Sequence, residues 1–174
     1  MKTRKIILSG LFIAMGIITP MMFHTFNLTG VIFLPMHLPV IIGGFLLGPS
    51  YGAVVGFVTP VISGFLTGMP PVMPTMPIMA LELCGYAFAT GFLYSKTNKI
   101  YRSLIGSMIF GRLCAVVGAF ILSVSFAPQI SPLPYIISAV TNGLPGIAVQ
   151  ILVIPALVKF MVTNKETSRV LGLN

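Results

Sequence analysis

Apolar residues in this chain come in long runs, separated by short clusters of proline, glycine and charge. A membrane-spanning helix needs about 20 apolar residues at 1.5 Å each to cross a hydrocarbon core of about 30 Å. Six stretches meet or approach that requirement, at about 6–25, 35–48, 50–67, 76–95, 101–125 and 134–162. The second and third are short, only "GPSYG" divides them, and the nearly continuous hydropathy there also allows five spans; two features favour six. The Gly48-Pro49 pair marks a turn there, because proline disfavours helical geometry in the residue before it. The linking segments "TFNLTGVIFLP", "GMPPVMPTM" and "APQISPLP" are too rich in proline and other small or polar residues to be continuous helix. The amino terminus, "MKTRKIILSGLFIAMGIITP", has the basic start and apolar run of a signal peptide. No small-residue cleavage site follows the run, so it reads as a retained first span.

Composition agrees with the pattern. Of the 174 residues, 56% are hydrophobic and 7% charged, and the mean hydropathy is +1.05. A soluble domain of this size has far more polar surface to offer water. The chain is therefore expected to be an all-α integral membrane protein, one membrane domain over residues 1–174 with six spans. A net charge of +8 would point to nucleic acid in a soluble protein. Here the lipid bilayer explains it better, and no nucleic-acid partner is expected. Nine of the ten Lys and Arg residues lie in terminal or connecting segments. Lys2, Arg4 and Lys5 flank the start. Lys96, Lys99 and Arg102 lie between the fourth and fifth spans, and Lys159, Lys165 and Arg169 at the end. The connections after spans one, three and five carry no Lys or Arg. The positive-inside rule then places both termini in the cytoplasm, which requires an even number of spans.

Several chemistries lack their residues. There is no phosphate-cradling G-x-x-x-x-G-K-[ST] stretch, no H-E-x-x-H and no G-x-S-x-G. No metal or cofactor is expected. Cys84 and Cys114 fall in apolar runs, at a spacing that fits neither a zinc site nor a disulfide framework, and read as small buried hydrophobes. Any uphill transport would draw its energy from a partner or from an ion gradient.

Two ionisable residues interrupt the apolar runs. Glu82 lies in "PIMALELCGYAFATGFLY" and Arg112 in "SLIGSMIFGRLCAVVGAFILSVSF". A charge at the centre of a span costs at least ~2.5–3.5 kcal/mol, so the default reading is functional. By helical rise, Glu82 lies about 9 Å below the outer end of its span, Arg112 about 20 Å and Asn142 about 12 Å. Three polar groups on three successive spans suggest a pocket open to the outside. A purely structural Glu82–Arg112 pair is the rival reading, but such a pair rarely gains stability over apolar packing. His37 opens the second span and is either a ligand contact or an interfacial helix-start residue. His24 and Asn27 read as interfacial groups. Thr59, Ser63 and Thr67 share one face of the third span, where hydroxyls ordinarily bond the preceding turn's carbonyl. Gln150 fits a helix–helix hydrogen bond. Met69, Met73 and Met76 belong to an outer connection that can cap a pocket with adaptable surface. In the first span, Gly10 and Ala14 are four apart, a spacing that lets helices approach closely in lipid. Gly43, Gly44, Gly48, Gly52 and Gly56 allow the hairpin of spans two and three to pack on itself or on another protein.

"MHLPVIIGGFLLGPSYGAVVGFVTPVISGFLTGMPP", followed by "MPIMALELCGYAFATGFLY", resembles the substrate-binding S components of energy-coupling factor (ECF) vitamin transporters. The resemblance covers nearly the whole chain and is most specific from His37 to Tyr94. It implies a multi-pass protein of the bacterial cell membrane that captures a vitamin or vitamin precursor on the outer face. The protein would then join a membrane coupling subunit and two cytoplasmic ATPases. It implies that Gly10-x-x-x-Ala14 occupies the place of an Ala-x-x-x-Ala motif that docks on the coupling subunit. It also implies a substrate held among the fourth, fifth and sixth spans, beneath the connections after the first and third, where Glu82, Arg112 and Asn142 fall, with His37 nearby. Arg112 suits a carboxylate by bidentate hydrogen bonds, and Glu82 suits an amine, a ring N–H or a hydroxyl. Pantothenate fits both; pyridoxine-like vitamins and precursors of thiamine or queuosine stay open. An intramembrane enzyme would need a catalytic constellation that these residues do not make. An ion-coupled secondary transporter working without ATPases is the alternative, and inverted repeats, its usual signature, are not visible.

Overall fold

The computed structural model describes residues 2–25, 30–125 and 132–164, and among these all regular structure is helical. The helices are α1 (Lys2–Thr25), α2 (Gly30–Phe33), α3 (His37–Leu47), α4 (Pro49–Thr67), α5 (Thr75–Thr97), α6 (Ile100–Ser125) and α7 (Pro132–Thr163). Five of them, α1 and α4 to α7, are long and apolar enough to cross a membrane. Asn27, most of the connection "APQISPLP", Lys165 and Arg169 lie outside the described residues.

The second expected span takes a different form. Its helix, α3, has 11 residues, about 17 Å of rise, which is too short to cross alone. Proline sets the limit. Pro39 has no N–H to give a carbonyl four residues earlier, so the helix begins at His37 and keeps Pro39 within a first turn that needs no such bond. Leu34, at φ 49, turns the chain into the helix, and its carbonyl accepts from the His37 N–H at 3.0 Å. Ten of the eleven residues of α3 are buried. Apolarity on every side here reflects a core helix and not a lipid-facing one.

Glycines bring α3, α4 and α5 into backbone contact. An ideal Cβ on Gly44 would lie 2.6 Å from the carbonyl oxygen of Ala87, one on Gly52 2.9 Å from Gly44 Cα, and one on Gly56 2.6 Å from the carbonyl carbon of Leu83. The glycine-rich hairpin therefore packs both on itself and on α5. Close contacts of Gly118 with Leu81, Gly111 with Tyr86 and Gly106 with Leu93 set the antiparallel register of α5 and α6. In that register Glu82 sits near Ala115, and Arg112 lies about one turn further from the outer end.

The basic residues share one end of the bundle. Lys5 Nζ donates to the Leu47 carbonyl at 3.2 Å and lies 5.6 Å from the centre of the Tyr51 ring, serving the open carbonyls at the end of α3. Gly91 of α5 meets the Gly48–Pro49 turn, which brings Lys96 and the start of α6 to this end. Lys159 follows Gly143 by about 24 Å along α7.

Candidate substrate-binding site

The short α3 leaves room above its first residue. A cavity of about 550 Å³ opens there, and His37, Glu82, Arg112 and Asn142 all line it. Its walls include Pro20 of α1, Leu34 to Met36 before α3, and Gly68 to Pro71 after α4. The four expected binding residues thus come from four different helices and meet at one space.

His37 is 2% exposed, and Glu82 7%. His37 is therefore not at the interface: the shortness of α3 carries its first residue into the bundle. Arg112 Nη1 lies 2.8 Å from Glu82 Oε1, and His37 Nε2 lies 3.8 Å from the same oxygen. The first contact is an ion pair by distance, yet among the described residues Glu82 Oε1 has no aligned donor. The His37 ring stands edge-on to Tyr86, centroids 5.4 Å apart, one turn beyond Glu82 on α5.

Among the described residues, both nitrogens of His37 and the Nε and Nη2 atoms of Arg112 are buried without a hydrogen-bond partner. Buried polar groups are ordinarily hydrogen-bonded, so four unpartnered nitrogens on residues lining one cavity fit a place that receives water or a ligand better than a fastening between helices. Arg112 uses Nη1 toward Glu82. Its remaining edge, Nε and Nη2, presents two parallel donors, the fork that receives a carboxylate. Gly143 of α7 lies beside this edge: a Cβ there would stand 3.5 Å from Nη2, in ordinary contact. Asn142 is exposed and donates through Nδ2 to Ser138 Oγ at 3.1 Å.

The weaker candidates divide. Thr59 donates to Val55 O at 2.6 Å, the ordinary helical return, and none of Thr59, Ser63 and Thr67 lines the cavity. Met69 does line it, whereas Met73 is exposed and Met76 packs against Gly64. Gln150 is buried away from the cavity, its Nε2 unpartnered among the described residues. Cys84 and Cys114 are free and half-buried. Ser138 and Met79 line the cavity without having been singled out by sequence. Helical spacing was the available signal: Ser138 is one turn before Asn142, and Met79 one turn before Glu82.

On α1, small residues face two ways. Gly16 is buried, and a Cβ there would meet Thr59 Cγ2 of α4 at 2.5 Å, while a Cβ on Gly10 would meet nothing within 4 Å. Gly10 and Ala14 are both exposed, on the same outward side as Leu11, Met15 and Ile18.

A helical bundle whose long helices are apolar enough to cross lipid is a multi-pass membrane protein. Residues 4–158 match the family model described as ECF transporter, substrate-specific component, and the chain belongs to that family. Membership makes it the substrate-binding component of a transporter, working with a small-molecule substrate and an ECF module in a lipid bilayer. No curated protein and no solved structure matches the chain.

Proposed function

We propose that this protein captures a vitamin or vitamin precursor at the outer face of a bacterial cell membrane and delivers it to a coupling subunit driven by two cytoplasmic ATPases. The observation that carries the reading is the convergence of His37, Glu82, Arg112 and Asn142 on one cavity, with four buried nitrogens that have no hydrogen-bond partner among the described residues. A space of about 550 Å³ is of the size that small-molecule sites use. The free edge of Arg112 takes a carboxylate. Glu82, His37 and Asn142 serve hydroxyls and an amide, and the proline and methionine walls take the aliphatic part. Pantothenate has this arrangement of groups. Gly10 and Ala14, free of the bundle, form the face that meets the coupling subunit.

Native mass spectrometry of the purified protein identifies any vitamin that copurifies, and titration with sodium pantothenate tests the specific assignment. Saturable binding supports it. A different copurifying vitamin retains the capture role and replaces the substrate. Uptake that persists in cells lacking the ATPases would overturn the delivery mechanism in favour of a self-sufficient secondary transporter.

A further inference from the structure

The segment between α4 and α5, "GMPPVMP", supplies Gly68, Met69, Pro70 and Pro71 to the cavity wall. Three of its seven residues are prolines and have no N–H with which to fasten the chain. The fastening comes from α4. Ser63, 1% exposed, donates through Oγ to the Met69 carbonyl at 2.6 Å. Thr67 Oγ1 donates to the Ser63 carbonyl at 2.8 Å and accepts from the Met69 N–H at 3.2 Å. A hydroxyl has a single proton, and Thr67 places its own in the shorter of its two carbonyl contacts. Ser63 therefore serves the Met69 carbonyl, and Thr67 the Met69 N–H.

Between the two hydroxyls the surface of α4 is bare. A Cβ on Gly64 would lie 3.1 Å from the Pro70 carbonyl oxygen and 2.8 Å from Met76 Sδ. Gly68, at φ 73, turns the chain back over this seat, in a conformation glycine adopts without strain. Beyond it, the Met76 N–H donates to the Pro71 carbonyl at 2.9 Å. Hydroxyls within helices usually return to their own preceding turn, as Thr59 does. Ser63 instead reaches six residues forward, out of its helix.

We propose that Ser63, Gly64 and Thr67 are positioning residues that seat Met69 to Pro71 as a fixed wall of the capture cavity, and that this seat controls how readily the cavity opens. The inference rests on the reading of the cavity as the capture site, but its test needs no ligand. In full-length protein carrying Cys84→Ala, Cys114→Ala and Met79→Cys, the new thiol stands in the cavity wall. Its reaction rate with a water-soluble thiol reagent reports opening, and hydrogen exchange over residues 68–76 reports the wall itself. Adding Ser63→Ala with Thr67→Ala is expected to raise both by about fivefold or more, the factor that corresponds to one net hydrogen bond. Ser63→Thr with Thr67→Ser keeps both hydroxyls and is expected to restore the parent rates. Unchanged labelling and exchange in the alanine variant would overturn the inference. So would failure of the hydroxyl-keeping variant to restore them, or faster exchange spread equally through α5 and α6. A protein that passes this test yet binds no vitamin would refute the capture reading alone.

Discussion

Glu82 and Arg112 are joined by two costs that substitution separates. Removing Arg112 leaves a carboxylate at 7% exposure without its ion-pair partner, with His37 Nε2 3.8 Å away and the Tyr86 side chain beside it. Stranding one member of a buried pair typically costs 3–5 kcal/mol, whereas replacing both by neutral groups is often near neutral. Arg112→Met is therefore expected to melt at a lower temperature than the double variant Glu82→Gln/Arg112→Met, in thermal unfolding of the purified protein. Ligand binding is expected to behave differently. Each single variant should weaken it at least tenfold, about 1.4 kcal/mol, and the double variant should not recover it, because the Nε–Nη2 fork is gone. If the double variant recovers both stability and binding, the pair is only a helix fastener.

Glycine positions on the helices sort into those already in use and those left open. Gly56 touches the α5 backbone beside Leu83, one residue from Glu82, whereas a Cβ added at Gly10 would meet nothing within 4 Å among the described residues. Gly56→Leu is expected to force α4 from α5, lower the melting temperature and impair binding. Gly10→Leu with Ala14→Leu is expected to leave both unchanged in the solitary protein, while abolishing pull-down of the coupling subunit and vitamin uptake. Loss of ligand binding in that variant would place α1 in the pocket and refute the division between docking and capture. This contrast was only half legible in the sequence. Small residues four apart announce close packing, but not which neighbour they meet, since Gly16 and Gly10 look alike until α1 is rotated against α4. The same limit applies to His37. Its apolar surroundings were plain, but its depth depends on where α3 begins, and Pro39 decides that. Glu82 and Arg112 were legible because a charge in an apolar run is costly at any rotation of its helix. Ser63 was not, because its forward reach depends on the turn at Gly68.

For the bundle as a whole, the separation of charge from cavity determines what the protein can receive and from which side. Lys5, Lys96, Lys99, Arg102 and Lys159 gather at the end where the α3–α4 turn lies, and the cavity opens toward the other. Basic residues near the ends of spans remain on the cytoplasmic side, so the cavity is expected to face outward and both ends of the chain inward. The short α3 is compatible with that count: it covers only the inner part of its pass, and the chain before it, turned at Leu34, forms part of the cavity wall. Single cysteines test the orientation in intact cells, in protein with Cys84→Ala and Cys114→Ala. Met73→Cys, exposed in the connection beside the cavity, is expected to react with a membrane-impermeant maleimide added outside. Thr97→Cys, exposed at the basic end, is expected to react only after the membrane is opened. The reverse pattern would turn the cavity toward the cytoplasm. It would leave the Glu82–Arg112 site intact as chemistry but rule out capture from outside.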